Sequence, residues 1–461
     1  MQRVIIREQD LTTNGMADEI TDVVFVPGFS NATGDDAAKP MIPTLCTSME
    51  EFNAYFGGDA PTFSEDQFYP VAGSSTYGFG ALALPKTEGV GEEGDIPWMS
   101  AGSPDPSYVY AKELVSAGLP VMYMRINGGE KSEYEGETYG ISVEDMYTAL
   151  KDDVYHSERS PLINKENSVK YITSGGYPIF EYGLGTQLTV ITSQMCFLAM
   201  SRGDCVALVD HTNNPSRDLV GDNSVYYAIT QTYPITSVND QDTFATMFTP
   251  WGCYSTSQNY GGMTSEAEMP GSFAYLASLA KSIKTNANWL AIAGASRGLV
   301  PGLKYLHTDK VLTNNIAESY QNDLGVSLNA ITNIRPYGLC IWGNRTLQVR
   351  SVSRMGFATS FLNLRNLVSD VKKQAFLAAQ SLMFEQNSDV LWVNFKSMMT
   401  PLLDQMVSGY GVSGYKIVKV PTTDKTKLNA VIRLYPIYPV EKFEIGIVLT
   451  DDDTITVEEG E

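Results

Sequence analysis

Asp105-Pro106-Ser107-Tyr108-Val109-Tyr110-Ala111-Lys112-Glu113-Leu114-Val115-Ser116-Ala117-Gly118-Leu119-Pro120-Val121-Met122-Tyr123-Met124-Arg125-Ile126 contains a whole helix–turn–strand unit. The Asp105 carboxylate can accept the free N–H groups of a first helical turn, and Pro106 fits where no donor is needed. Gly118 supplies the left-handed stop. The apolar run 121–126 then predicts a strand buried on both faces. The unit recurs. Helical residues 187–200 lead through Ser201-Arg202-Gly203-Asp204 to Val206-Ala207-Leu208-Val209, and residues 271–284 lead to Trp289-Leu290-Ala291-Ile292-Ala293, expected as a strand. Upstream, Val23-Val24-Phe25-Val26 closes on Pro27-Gly28 as a further strand. Short apolar strands alternating with helices predict an open α/β sheet over about residues 100–330.

After Asn329 the pattern changes to α+β. Residues 363–384 carry Leu364, Leu367, Val368, Val371, Ala375, Ala378 and Leu382 on one helical stripe. Thr400-Pro401 reads as the start of a short second helix and Gly409 as its stop. Strands follow at Lys416-Ile417-Val418 and residues 430–435, and residues 443–449 alternate with period two. The expected organisation is an arm at 1–20, an N-terminal region at 21–104, a main α/β domain at 105–329, a smaller α+β domain at 330–440, and a strand arm with acidic tail at 441–461. The Gly/Pro-rich stretch 73–106 reads as a loop or insertion.

Charge follows the same division. The 461 residues hold 53 acidic and 32 basic side chains, a net of −21, which argues against a nucleic-acid binder. Residues 330–450 hold 14 basic against 7 acidic side chains, and residues 451–461 hold six acids and no base. A basic module therefore sits between an acidic body and an acidic tail. No run of about 18 apolar residues exists to span a membrane, and the first residues lack a signal-peptide core. The five cysteines (Cys46, Cys196, Cys205, Cys253, Cys340) are scattered, as reduced buried thiols would be. With the three histidines also isolated, no metal site is expected, and no cofactor.

One catalytic pattern needs weighing. Gly294-Ala295-Ser296-Arg297-Gly298 matches G-x-S-x-G after an apolar run. The elbow must lead into a helix, but Pro301-Gly302 follows at once. The later histidine, His307, has no acid before it, and His211 beside Asp210 points to the opposite face of a strand. A soluble α/β serine hydrolase using Ser296 is thus the alternative, and a backbone turn the favoured reading. No phosphate loop is present to spend ATP.

Taken in order, several segments resemble the contractile-tail sheath proteins of bacteriophages and related injection systems. They are residues 111–126, Cys205-Val206-Ala207-Leu208-Val209-Asp210, Phe244-Ala245-Thr246-Met247-Phe248-Thr249-Pro250-Trp251, Leu328-Asn329-Ala330-Ile331, Gly338-Leu339-Cys340-Ile341-Trp342-Gly343-Asn344-Arg345-Thr346-Leu347, Leu362-Asn363-Leu364-Arg365-Asn366-Leu367 and Tyr435-Pro436-Ile437-Tyr438-Pro439-Val440-Glu441-Lys442-Phe443. The likeness covers about residues 105–450; Pro270-Gly271 departs from the usual Pro-Pro or Pro-Ser, and 73–106 matches nothing. The resemblance implies a structural subunit that polymerises helically around an inner tube and contracts to drive it through a cell envelope. It implies a subtilisin-like main domain without a triad, an innermost C-terminal domain, and arms that join neighbours. Expected partners are other copies of itself, the inner tail tube, the baseplate and the tail terminator, with no nucleic acid and no membrane insertion. The expected location is a virion tail or contractile particle, with assembly in host cytoplasm.

Two site expectations follow. Val4, Ile5 and Ile6 at one end and Phe443, Ile445, Ile447 and Leu449 at the other are expected to add as strands to neighbouring subunits. Arg365, Lys372 and Lys373, on the helix side opposite the apolar stripe, are expected to face the tube.

Overall fold

The computed structural model describes residues 22–61, 104–126, 133–134, 137–138, 162, 167–176, 186–210, 244–260, 265–306, 329–347 and 358–441. In chain order its elements are β1 (Val24–Gly28), β2 (Pro43–Cys46), α1 (Met49–Phe56), α2 (Pro106–Ala117), β3 (Val121–Arg125), β4 (Glu133–Tyr134), β5 (Glu137–Thr138), β6 (Tyr171–Ile172), α3 (Thr186–Arg202), β7 (Val206–Asp210), β8 (Ala245–Thr249), β9 (Gly252–Ser255), β10 (Glu266–Met269) and α4 (Gly271–Ser282). They continue with the four-residue α5 (Gly294–Arg297), β11 (Leu303–Leu306), β12 (Asn329–Ile334), β13 (Gly338–Trp342), α6 (Leu362–Ser381), α7 (Asp389–Ser408), β14 (Val412–Val420) and β15 (Asn429–Pro436).

The helix–turn–strand unit forms as read. Asp105 accepts from the N–H groups of Ser107 and Tyr108, Pro106 opens α2, and Gly118 closes it at φ 96°. Strand β3 is buried throughout, as is β7, which follows α3. These strands lie in an eight-stranded sheet of order β13-β12-β8-β7-β6-β1-β3-β2. The pairs β3–β1, β1–β6, β6–β7, β7–β8 and β8–β12 are parallel, and the edge strands β2 and β13 are antiparallel. The fold is mixed α/β with an open sheet, as expected. The sheet, however, draws β1 and β2 from before residue 105 and β12 and β13 from beyond 328, so its limits are wider than the expected 105–329. A strand's membership is decided by distant hydrogen-bond partners, which composition shifts along the chain do not record.

Helices α2 and α4 are buried on nearly every side, against the sheet and each other. Tyr110 and Phe273 meet edge to face at 5.4 Å, and the Tyr110 hydroxyl lies 3.0 Å from Ser272 Oγ. Gly271 has no room for a side chain, since a Cβ would stand 2.4 Å from the Phe248 carbonyl oxygen.

Three local expectations change. Residues 289–293 form no strand. Trp289 instead leaves the sheet domain and inserts into a second core with Leu367, Val371, Phe395, Met399, Leu403 and Met406. Its Nε1 donates to the Gly409 carbonyl at 3.0 Å. Pro401 does not start a helix but lies inside α7, whose true cap is Ser388, accepting from Leu391 N–H. Pro401 is exposed, and α7 runs through it although Pro has no N–H to give the Ser397 carbonyl one turn earlier. The third change concerns α6, which is not two-faced in its first half: Asn363, Leu364, Arg365, Asn366, Leu367 and Ser369 are all buried.

Candidate functional site

An open α/β sheet would place a ligand outside the carboxyl ends of its strands, where the strand order reverses. Here that point lies at β1 and β6, since the chain runs from β1 outward to β3 on one side and from β6 outward to β7 on the other. It is packed shut. Gly28 faces Ser107 Oγ and the Tyr123 hydroxyl, each 2.0 Å from where a Cβ would be. Gly175, at φ 76°, leaves its missing Cβ 2.6 Å from the Pro27 carbonyl oxygen, and Gly176 abuts Tyr110. The Tyr123 hydroxyl donates to the Phe29 carbonyl at 2.8 Å, and Ser107 Oγ donates to Asp105 at 2.6 Å. The crevice of an enzyme is here a set of mutually satisfied side chains.

The nucleophile-elbow alternative finds no support either. Ser296 sits in the four-residue α5, which no strand precedes, and is exposed with no side-chain hydrogen bond among the described residues. His211 and His307 lie outside the described residues. Asp210 is already committed, accepting from the N–H and Oγ of Ser272 at 2.9 Å each at the start of α4. Burial raises its carboxyl to about 7, opposed by those two bonds. The thiols are inert by the same physics. All five cysteines are free and buried, and burial pushes Cys46, Cys196 and Cys205 up to about 12.

The polar residues are spent on joining parts of the chain. Asn329, inside the most specific of the resembling segments, donates to Thr246 Oγ1, the Met247 carbonyl and the Arg345 carbonyl, and accepts from Arg345 N–H. Lys170 is wholly buried, with Nζ 2.7 Å from Asp22 and 3.0 Å from Asp370. This links the entries to β1 and β6 with the middle of α6. Burial works against the Lys170 charge, but the two carboxylates outweigh it and its affinity for the proton rises. The Asp370 carboxyl is raised by burial, with Lys170 opposing. Asn366 reaches the Tyr171 and Tyr275 hydroxyls at 2.9 and 3.1 Å, so a second polar contact binds α6 to the sheet domain.

These contacts decide where the expected tube-facing residues lie. Arg365 is only 3% exposed, and its guanidinium stacks 4.2 Å from the Phe244 ring centre. It cannot meet a tube, because α6 is held against the sheet domain on the side that its apolar stripe leaves free. Lys372 is exposed but donates to the Gly203 carbonyl of its own chain at 2.8 Å. Lys373 is half-buried beside Asp22 and Asp370 in a cleft of about 540 Å³, where burial lowers its pKa. The three do not form an exposed basic face.

Of two features near the end of the chain, the first went unread in the sequence and the second was read only as two separate strands. Arg345 grips Glu441 with two guanidinium nitrogens, Nε at 2.7 Å, while Nη1 donates to Ser360 and the guanidinium stacks 3.6 Å over Phe361. Tyr438 packs on the same Phe361 ring. The chain is thus clamped where residues 442–461 begin, and the arm residues Phe443, Ile445, Ile447 and Leu449, like Val4, Ile5 and Ile6, lie outside the described residues. Arg345 and Glu441 are 96 positions apart, so no local pattern links them. The second feature is the β14–β15 hairpin, whose face bearing Tyr415, Ile417, Ile432 and Leu434 packs on the second core. Among the described residues neither strand pairs with a third, so both outer edges are open.

No protein-family model matches the chain, and no curated protein matches it either. Solved structures do. A chain of the six-fold symmetrised anti-feeding prophage (AFP) baseplate superposes with TM-score 0.55 at 13% identity, covering 98% of this chain and 99% of its own. The same fold recurs in sheath chains. The AFP helical sheath in the contracted state gives TM-score 0.54 at 15% identity over 98% and 99% of the two chains. The contracted PVC sheath complex of an extracellular contractile injection system gives 0.53 at 15% identity over 98% of each. The likeness in fold to these sheath chains extends over 98% of this chain.

Proposed function

We propose that this chain is a structural, non-enzymatic sheath subunit that polymerises helically around an inner tube in a contractile particle and shortens to drive that tube forward. The observation that carries this reading is the end-to-end likeness to sheath chains, over 98% of this chain. The close packing of Ser107, Tyr110 and Tyr123 on Gly28, Gly175 and Gly176 is in keeping with it. Baseplate and terminator proteins would cap the polymer, as phage tails or related injection particles require.

The arms supply the lattice. Segments at Val4-Ile5-Ile6 and at Phe443, Ile445, Ile447 and Leu449 add as strands to the open edges of a neighbour's β14–β15 hairpin, satisfying backbone groups that are otherwise a liability. Each hydrogen bond contributes about 0.5–1.5 kcal/mol net, repeated at every subunit. The Arg345–Glu441 clamp fixes the point from which the second arm departs. Contraction then draws on energy stored at assembly, since the chain has no phosphate loop, and packed interfaces have discrete alternative arrangements.

Negative-stain microscopy of the purified chain tests the reading. Helical tubes or stacked rings are expected, and monodisperse monomers at all concentrations would overturn it. A fluorophosphonate probe should leave Ser296 unlabelled.

A further inference from the structure

The face of the hairpin turned away from the second core carries a pairing that an isolated subunit has no reason to keep. In the β14–β15 register Lys416 stands directly opposite Arg433. Both are exposed, and neither makes an ion pair among the described residues. Like charges directly opposite one another on a sheet are destabilising. The other basic residue at mid-hairpin, Lys419, belongs to the opposite face and is neutralised by Asp389 at 3.1 Å. Around the Lys416–Arg433 pair the same outward face exposes apolar side chains: Tyr435 at 51%, Val431 at 42% and Val420 at 36%. A surface of two unpaired cations set among exposed apolar groups fits an extended segment that offers carboxylates and aliphatic side chains together.

This chain has such a segment. Residues 451–461 read Asp-Asp-Asp-Thr-Ile-Thr-Val-Glu-Glu-Gly-Glu, six carboxylates around Ile455 and Val457. We infer that the outward face of the hairpin receives the acidic segment 451–461 of a second copy of this chain. The reach admits a second copy, which the polymer supplies at every hairpin. The chain is clamped at Glu441 by Arg345, and Arg433 lies only eight residues before that clamp. The ten residues from Glu441 to Asp451 can span at most about 33 Å, a length that can bridge to a neighbouring subunit. The inference rests on the sheath reading only in supplying a neighbour. It concerns the hairpin's face, whereas strand addition uses its edges.

Charge exchange between two full-length variants tests it. One carries Lys416→Glu and Arg433→Glu; the other carries Asp451→Lys, Asp452→Lys and Asp453→Lys. Self-association is measured by sedimentation velocity at low ionic strength. Each variant alone should associate roughly tenfold more weakly than the parent, because like charges now meet at two positions. An equimolar mixture should return to within twofold of the parent, since each hairpin then finds a segment of opposite sign on the other variant. Parental association by both single variants would overturn the inference. Weakening of the hairpin variant alone would mean that another acidic surface of this chain, such as its acidic body, occupies the face. Rescue only when all five changes share one chain would mean that the segment folds back on its own hairpin. Both results refute the stated occupant.

A labelled peptide of residues 442–461 separates this inference from the sheath reading. Binding to the parent chain that is lost with Lys416→Glu and Arg433→Glu supports the inference even if no tubes form. Tubes without peptide binding would sink the inference and leave the sheath reading standing.

Discussion

Replacing Lys170 with Met should destabilise the chain in a way that acid partly repairs. The Lys170 ammonium is fully buried and holds two carboxylates, Asp22 at 2.7 Å and Asp370 at 3.0 Å. Methionine fills a similar volume but removes the ammonium that touches both acids, leaving Lys373 as the cation beside Asp370. Breaking a buried pair by removing one partner costs about 3–5 kcal/mol. The loss is limited because one carboxyl can take a proton, and Asn288 Nδ2 lies 3.4 and 3.5 Å from the two acids. We expect a loss of about 3 kcal/mol at pH 7.

The pH dependence has a definite sign. Burial already raises the Asp370 carboxyl in the parent, where Lys170 opposes the rise. Without Lys170 the folded-state pKa moves further above the unfolded value. The folded state then binds the extra proton more tightly than the unfolded one, so relative stability is greatest in acid and falls as pH rises through the raised pKa. The deficit of Lys170→Met should therefore shrink by about 1 kcal/mol or more between pH 7 and pH 5. Urea unfolding of the unassembled chain, followed by tryptophan fluorescence, measures both quantities. A loss below about 1 kcal/mol at pH 7, or one that stays constant down to pH 5, would refute the argument that Lys170 holds buried charge.

Three further outcomes are expected. Gly271→Ala should cost about 2–4 kcal/mol in the same urea assay, because its Cβ would meet backbone at the Phe248 carbonyl, 2.4 Å away, and neither α4 nor β8 can yield freely. Asp210→Asn should stabilise the chain by about 1–3 kcal/mol at pH 8 and by nothing near pH 3.5, because the parent carboxyl, raised to about 7, is penalised progressively as pH rises from the unfolded value of about 4 up to about 7; equal stability of the two proteins at pH 8 would count against it. Deleting residues 1–20 should leave the thermal unfolding of the subunit unchanged within about 1 kcal/mol while abolishing ordered tubes in negative stain, and normal tubes would exclude strand addition by that arm.

What the sequence decided by itself was local. Asp105 and Pro106 start α2 and Gly118 stops it because caps act within one turn, through groups a few residues apart. Strands β1, β3 and β7 were legible because burial on both faces demands an unbroken apolar run. The likeness to sheath proteins was legible as an ordered series of such short runs. What only the tertiary structure decided was which residues meet. Trp289 looked like a strand residue until the second core took its indole, since apolarity does not say which core receives a side chain. Arg365 looked solvated because a helical stripe reports one packed face, whereas α6 is held on two sides, by the second core and by the Lys170–Asp370 link to the sheet. The Arg345–Glu441 clamp and the unpaired Lys416–Arg433 register depend on contacts between residues far apart in the chain. Long-range pairing of this kind costs loop-closure entropy that the whole fold must repay, so no short stretch of sequence can specify it alone.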